Sequence, residues 1–266
     1  MAFPFVYGAL GALSSLTDYE RAGLLLIPHH LSLVSNLQAV LSGVDFWVIF
    51  RNTALRALWY GFWPSLLALL SGYAIARLRF PGRRVVFILL LSGLMVPQQT
   101  TTVPTFLLMS HWPLVGGNNL QGQGGTGMID TWGALLLLGL ISGFEMFLIK
   151  QAIEQIPYEY EEAARMDGAG VLRIIFTLYA PMLKAPLATL TLINMINIWN
   201  DYYTPLIFTP NNAAITTLSL GMTNYASSLI KQANGIPPYP LLFMGATVAM
   251  LPTIIIFLFF QRYIVL

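Results

Sequence analysis

The chain alternates long uncharged apolar runs with shorter segments that carry nearly all of its charge. A helix that crosses the hydrocarbon core of a bilayer needs about 20 apolar residues. Five runs meet this requirement and a sixth approaches it, so we predict an all-α, polytopic membrane protein of one domain, residues 1–266, with about six transmembrane helices. The predicted spans are residues 2–17, 57–76, 85–110, 131–149, 185–208 and 241–261.

The first of these spans is short. It contains 16 uncharged residues before Asp18, which is fewer than a complete transmembrane helix needs. The run has the character of the outer end of a longer helix. We therefore expect this span to be truncated, with apolar residues upstream of Met1 in the natural protein.

The composition agrees with a membrane protein and excludes several other classes. Hydrophobic residues make up 56% of the chain, charged residues only 9%, and the mean hydropathy of +0.69 exceeds what a soluble core requires. The absence of cysteine excludes disulfides, thiolate nucleophiles and cysteine metal sites. A net charge of +2, with no basic cluster among aromatics, argues against nucleic acid as a partner. His29 and His30 lack a third ligand at suitable spacing, so no metal site is predicted.

Lysine and arginine are distributed unevenly between alternate loops of the predicted topology. Nine of these residues fall on one side of the membrane and four on the other. Loops that are richer in lysine and arginine face the cytoplasm in most membrane proteins. The loop 150–184 belongs to the richer side, so we expect it to be cytoplasmic.

This loop contains the most charged stretch of the chain, EYEEAARMDGAG at 159–170. Pro157 suits the first turn of a helix, where its missing N–H has no partner in any case. Glu161 and Arg165 are four residues apart in the order that favours a helical ion pair. Gly168 can adopt the left-handed conformation that ends a helix. The pattern therefore predicts a short acidic helix that ends at this glycine.

A second short helix should follow. Residues 169–179 are mostly apolar, and Pro181 should stop the helix because proline lacks the required backbone N–H. The small residues Ala163 and Ala164 would allow another backbone to approach the first helix closely. The residues alone leave two interpretations open: a docking element for a partner, or a solvated connecting loop.

The same stretch resembles the EAA signature of the membrane subunits of binding-protein-dependent ABC importers. In that signature Glu-Ala-Ala, three residues, Gly, nine residues and Ile-x-Leu-Pro recur in a cytoplasmic loop. The residues that match at the family spacing are Glu162, Ala163, Ala164, Gly168 and Pro181. Leu178 and Ala180 stand in place of the isoleucine and leucine. The stretches YAIARLRFPGRR at 73–84 and NIWNDYYTPLIF at 197–208 resemble the smaller permease of the carbohydrate-uptake, maltose-type branch.

The resemblance implies a division of labour among subunits. Partners would be a second, larger permease, two ATPase subunits that bind ATP and Mg, an extracytoplasmic sugar-binding protein, and membrane lipid. This subunit would hold no cofactor and catalyse no reaction, since it lacks a phosphate-binding Gly-x-x-x-x-Gly-Lys loop. It would reside in the cytoplasmic membrane of a bacterium or archaeon. The resemblance implies that the residues coupling it to an ATPase are Glu161, Glu162, Ala163, Ala164, Arg165, Asp167 and Gly168.

Polar residues inside predicted spans are candidates for the substrate path, because they are costly in a membrane. Amides and carboxylates can bind sugar hydroxyls, and aromatic faces can stack on sugar rings. The candidates in the fifth span are Asn194, Asn197, Trp199, Asn200, Asp201 and Tyr202. Gln98 and Gln99, next to Pro97 in the third span, form a second candidate wall. The alternative is that these groups connect helices or satisfy a proline kink.

Other features leave alternatives open. Glu145 lies five residues before Lys150, so we expect it to snorkel or to pair locally. The glycine-rich external stretch 111–130 either contacts the binding protein or is a flexible connector. A permease for another solute, such as a glycerol phosphate ester, is one rival function, and an intramembrane enzyme is the other. The few cationic residues along the proposed path argue against a strongly anionic substrate.

Overall fold

The computed structural model describes residues 3–21, 30–233 and 237–264 of the chain. The fold is 75% helical, and no strand occurs within these three ranges. The helices are α1 (Phe3–Leu13), α2 (Leu16–Arg21), α3 (Leu33–Gly43), α4 (Phe46–Arg77), α5 (Arg83–Ser92), α6 (Gln98–Ser110), α7 (Trp132–Leu137), α8 (Gly143–Glu154), α9 (Glu159–Met166), α10 (Val171–Ile174), α11 (Ala180–Met182), α12 (Lys184–Asn200), α13 (Tyr203–Phe208), α14 (Leu218–Gln232) and α15 (Tyr239–Ile264). The predicted all-α class is confirmed.

The long helix α4 lies at the centre of the fold and packs along both α8 and α12. Its glycines permit this close packing: a Cβ at Gly72 would lie 2.8 Å from a side-chain carbon of Ile149 on α8. Ser65 of α4 and Thr191 of α12 share a 3.1 Å hydrogen bond, as polar groups between transmembrane helices commonly do. Helix α15 packs against α12, α1 and α3. Helix α4 therefore contacts α8 and α12 directly, and α12 connects it to α15.

The helix bounds differ from the predicted spans at several places. The predicted span 57–76 lies within α4, which begins at Phe46. The span expected at 85–110 is divided by a 3₁₀ turn at Gly93–Met95, and its two helices are bent by 108°. Pro97 lies at this break, whereas Pro104 is accommodated inside α6.

Two more predicted spans are interrupted. Helix α7 ends at Leu137 and α8 begins at Gly143, within the span predicted at 131–149. The span predicted at 185–208 divides into α12 and α13 at Asp201. An interrupted helix leaves backbone carbonyls unpaired, and inside a membrane other protein groups must satisfy them. Side chains of α4 donate to carbonyls near the end of α7, and the carboxylate of Asp201 accepts from the backbone N–H of Thr204 at the start of α13.

The number of spans depends on how bent helices are counted. By length and composition, one helix of the described ranges can cross a bilayer, Tyr239–Phe259. The number rises to four if each of three sharply bent helix pairs counts as one span. These pairs are Leu33–Gly43 with Phe46–Arg77, Arg83–Met95 with Gln98–Ser110, and Val171–Met182 with Lys184–Asn200. Six spans remain a prediction.

Candidate functional site

The acidic helix of the loop 150–184 ends as predicted. Helix α9 stops at Met166, and Gly168 has φ +77°. The N–H of Gly168 donates to the carbonyl of Arg165 at 3.0 Å, and the N–H of Ala169 donates to that of Ala164 at 2.9 Å. These two bonds form a Schellman motif, which needs a left-handed residue at the glycine position. Gly168 therefore sets the direction of the chain after α9.

Glu161 lies inside the fold rather than on a docking surface. Its side chain is fully buried and accepts two hydrogen bonds from Arg165, at 2.8 and 3.2 Å. The hydroxyl of Tyr73 on α4 donates to Oε1 at 2.9 Å, and the hydroxyl of Tyr179 donates to Oε2 at 2.7 Å. The guanidinium of Arg77 lies 3.7 Å from the same carboxylate. We call these five residues the Glu161 network.

The Glu161 network changes the acidity of its members. Burial by itself would raise the pKa of Glu161, but the hydrogen bonds from Arg165, Tyr179 and Tyr73 outweigh burial and lower that pKa. Burial and the bond to Glu161 raise the pKa of Tyr179 above its usual range. The carboxylate is thus held in its charged form. An ionised Glu161 joins α9 to α4.

Arg77 extends this attachment to α8. It donates to the carbonyls of Ile153, at 2.9 Å, and Ile156, at 2.5 Å, at the end of α8. Carbonyls at a helix C-terminus lack partners within the helix, so these bonds satisfy them. Arg77 also lies over the ring of Tyr158, 5.4 Å from its centroid. The C-terminal ends of α4 and α8 and the start of α9 therefore form one joint.

The second half of the loop differs from the prediction at Pro181. The helical segment does not stop before this proline but continues through it to Met182. A π turn at Ile175–Tyr179 precedes the proline. A wider turn of this kind accommodates the missing N–H and the bulk of the proline ring. The π turn also positions Tyr179 toward Glu161.

The outward face of the loop combines acidic and apolar groups. Glu162, Ala163 and Asp167 are exposed, and Gly168 has open space around it. Met166 is 88% exposed and Leu172 is 66% exposed. Ala164 is half-buried and packs against the apolar core, and Arg165 is bound to Glu161 at the edge. Of the seven residues implied by the resemblance, Glu161 and Ala164 thus face inward.

A polar cavity of about 370 Å³ lies between α4, α12 and the break after α7. It is lined by Arg56, Tyr60, Gln98, Leu138, Gly139, Asn194, Asn197, Ile198, Asp201 and Thr204. Four of the residues predicted for the substrate path therefore come together: Gln98, Asn194, Asn197 and Asp201. They reach the cavity from two separate parts of the chain, the start of α6 and the end of α12.

Arg56 is the central charged group of this cavity. Its side chain is 1% exposed, and Nη2 binds Oδ2 of Asp201 at 2.7 Å. Nε donates to the carbonyl of Leu135 at 3.3 Å, near the end of α7. Trp59 and Tyr60 donate to the neighbouring carbonyls of Leu136 and Leu138. Side chains of α4 therefore satisfy the carbonyls that the interruption of α7 exposes.

Asp201 performs two tasks at the break between α12 and α13. Oδ2 pairs with Arg56, and Oδ1 accepts a 3.0 Å hydrogen bond from the backbone N–H of Thr204. The second bond caps the start of α13, where backbone donors lack helical partners. The cavity wall and the helix break thus share one carboxylate.

The other predicted path residues lie outside the cavity lining. Trp199 is buried against Phe50, and its indole N–H donates to the carbonyl of Ala249 on α15 at 3.1 Å. Asn200 donates to the carbonyl of Ile196 in its own helix. Tyr202 and Gln99 are exposed and do not line the cavity. The position of Trp199 agrees with the packing alternative, whereas the exposed side chain of Asn200 bonds within α12 and is not seen to connect helices.

Two residues near the cavity were not anticipated. Arg56 immediately precedes the predicted span 57–76, and its partner Asp201 lies 145 residues away in sequence. Its spacing of four from Tyr60 is the only local signal that both share a face. Glu145 was expected to snorkel or to pair locally, but the nearby Lys150 pairs with Glu154 at 2.7 Å. Glu145 is buried instead, and its side chain interacts with that of Asn194.

Comparison with known proteins identifies the family of the chain. Residues 65–265 match the model of the binding-protein-dependent transport system inner membrane component. The arabinooligosaccharides transport system permease protein AraQ of Halalkalibacterium halodurans is 28% identical over 265 residues, 99% of this chain and 88% of that protein. The lactose transport system permease protein LacG of Rhizobium radiobacter is 28% identical over 263 residues, with the same coverage of 99% and 88%.

A solved structure shares the fold. It is a bacterial ABC transporter involved in the import of the acidic polysaccharide alginate, with a TM-score of 0.80 and 24% identity. The match covers 98% of this chain and 90% of that chain. Because the family model covers most of the sequence, the chain belongs to the binding-protein-dependent transport system inner membrane components.

Proposed function

We propose that the chain is a permease subunit of an ATP-driven importer that moves a sugar or oligosaccharide across the cytoplasmic membrane of a bacterium or archaeon. Its family is one of transport permeases rather than enzymes. An extracytoplasmic binding protein delivers the sugar, and a second, larger permease completes the pathway. Two ATPase subunits bind ATP with Mg and supply the energy. The relatives that act on arabinooligosaccharides and lactose support a sugar as the substrate.

The observation that carries the proposal is the link from the cytoplasmic loop to the cavity. The exposed face around Glu162 and Met166 is acidic and apolar, which suits a partner protein. On the opposite face of α9, Glu161 is bound to Tyr73 of α4. The same helix carries Arg56 to the cavity wall. A movement of the docked loop therefore acts on α4 and through it on the sugar path.

This arrangement provides a physical route for coupling. Allosteric coupling requires two sites and an element whose state both sites influence. ATPase closure would act at α9, and bound sugar would act at the cavity, with α4 in contact with both. The buried Glu161 network makes the cytoplasmic end of α4 a rigid attachment. Alternating access then follows from the different affinities of nucleotide and loaded binding protein for the two states.

The first test replaces Gly168 by valine. A β-branched residue at φ +77° strains the backbone by roughly 1–3 kcal/mol, so the chain after α9 should change direction. We expect ATP hydrolysis by the reconstituted complex to lose most of its stimulation by loaded binding protein. Glu162→Lys should produce a similar loss, because it reverses the charge of the exposed face. The measurements are ATPase activity with and without loaded binding protein, and subunit stoichiometry after purification.

Gly170→Val is the matched control. Gly170 also has open space around its Cβ position, but its φ of −73° is ordinary for valine. We expect this variant to retain stimulation. Normal stimulation and full ATPase occupancy in both Gly168→Val and Glu162→Lys would contradict a coupling role for the loop.

A further inference from the structure

We propose that the polar cavity binds uncharged, polyhydroxylated ligands and that Arg56 is one of the residues that hold them. This inference rests on the proposed function, because it assumes that the cavity is part of the sugar path. It adds the charge class of the substrate. It also adds a ligand-binding residue that the resemblance did not indicate.

The first observation is the charge balance of the cavity. Arg56 is the one cation among its lining residues and Asp201 is the one anion, and the two form a 2.7 Å ion pair. The remaining lining residues are uncharged at neutral pH. A paired guanidinium offers little net attraction to an anion, since the carboxylate repels what the guanidinium attracts. A neutral ligand carries no such penalty.

The second observation is that the cavity contains an unused hydrogen-bond donor. Nη1 of Arg56 is buried and forms no hydrogen bond within the described ranges of the chain. Buried donors without partners are rare and costly. Arg56 lines the cavity. Hydroxyl and ring oxygens of a sugar are acceptors that could satisfy this donor.

The test measures ligand binding to the permease directly. The extracytoplasmic binding protein is left out, so its own ligand preference cannot affect the measured affinities. The purified permease–ATPase complex is equilibrated by dialysis with radiolabelled lactose and arabinobiose as neutral probes. Glycerol 3-phosphate and a mannuronate disaccharide are the anionic probes. We expect the wild-type complex to bind at least one neutral probe more tightly than either anion. Arg56→Gln should lose most of this neutral binding.

Asp201→Asn is the decisive variant. Asparagine keeps an oxygen that can cap Thr204, but it removes the charge that balances Arg56. The ratio of anionic to neutral affinity should rise roughly tenfold or more, as expected when a close charge interaction is removed. Glu154→Gln is the control, because it removes one carboxylate from an exposed ion pair outside the cavity lining. This control should leave the ratio unchanged.

A second pair of variants covers the case in which Asp201→Asn does not assemble. Gln98→Lys adds a cation to the cavity wall at an exposed residue, and Gln99→Lys adds one at the adjacent exposed residue that does not line the cavity. Only Gln98→Lys should raise relative anion binding. The inference is overturned if the ratio of anionic to neutral affinity is unchanged in those of Asp201→Asn and Gln98→Lys that assemble. It is also overturned if the wild-type complex binds an anionic probe more tightly than the neutral probes. Binding of neither kind of probe also overturns it, whereas sugar uptake by intact cells decides the proposed function separately.

Discussion

The Glu161 network and the polar cavity are both built on an arginine–carboxylate pair, yet they differ in how fully their polar atoms are bonded. Glu161 accepts four hydrogen bonds, two from Arg165 and one each from Tyr73 and Tyr179. In the cavity, Arg56 keeps one nitrogen without a partner within the described ranges, although it is just as deeply buried. The Glu161–Arg165 pair is therefore closed and the Arg56–Asp201 pair is open, although Nε of Arg77 at the side of the Glu161 network also lacks a hydrogen-bond partner within the described ranges.

The difference distinguishes a structural joint from a ligand site. A buried ion pair is stabilising only when its remaining polar atoms are also bonded, and the carboxylate of Glu161 meets that condition. An open pair is costly in the absence of a ligand, because its buried donor remains unsatisfied. The cavity is therefore arranged to gain hydrogen bonds when a ligand enters. The network is arranged to hold α9 and α4 together in every state.

The largest expected effect comes from opening the closed pair. Glu161→Ala leaves two tyrosine hydroxyls and Arg77 facing an empty, buried space, and the loss of a buried partner costs about 3–5 kcal/mol. We expect a marked fall in the thermal midpoint of the purified complex and loss of ATPase subunits. Glu162→Ala is the matched control, since its side chain is exposed and should change stability by at most about 0.5 kcal/mol. Equal midpoints for the two variants would show that the network is not a joint.

A smaller effect should follow from acidification. The pKa of Glu161 is lowered from its ordinary value of 4.5, so its contribution to stability is present above that value and is lost as pH falls through the lower, folded pKa. The thermal midpoint of the wild-type protein should therefore approach that of Glu161→Gln as pH falls below 4.5. The measurement is the thermal midpoint of the wild type and of Glu161→Gln, from neutral pH downward. If the difference between the two midpoints stayed constant as pH fell, the charge of Glu161 would not contribute to stability.

The smallest effect on stability is expected in the cavity, where the readout is transport. Asn197→Ala removes a lining amide, and the loss of about 1 kcal/mol per hydrogen bond should lower sugar uptake roughly fivefold. Asn200→Ala is its counterpart, because Asn200 bonds only within α12 through its side chain. Both variants should assemble normally. If Asn200→Ala reduced uptake as much as Asn197→Ala, the distinction between residues that line the cavity and residues that do not would be incorrect.

Local features of the loop could be predicted because their causes are local. The end of α9 at Gly168 follows from the conformational freedom of glycine, and the Glu161–Arg165 bond follows from a spacing of four on a helix. Pro181 was predicted incorrectly, because the π turn before it removes the clash that usually stops a helix. That turn contains Tyr179, which the structure holds in place through its bond to Glu161.

The cavity was predicted only in part. Polarity inside an apolar run marked Asn194, Asn197 and Asp201, but polarity alone could not separate them from Trp199 and Asn200. The indole of Trp199 instead donates to a carbonyl of α15, and the amide of Asn200 donates to a carbonyl within α12. The breaks within the predicted spans could not be predicted either, because the spans were identified only by the length and low charge of their apolar runs. They depend on partners contributed by other helices.

The sequence by itself determined the class of the protein, because apolar length and charge content reflect the bilayer that surrounds the chain. It also determined the family, through the spacing of Glu162, Ala163, Ala164 and Gly168. Only the tertiary structure decided which charges are internal. Arg56 meets Asp201 across 145 residues, and Glu161 meets Tyr73 across 88. A buried charge is tolerable only beside its partner, and which residues become partners depends on how α4, α9 and α12 pack together.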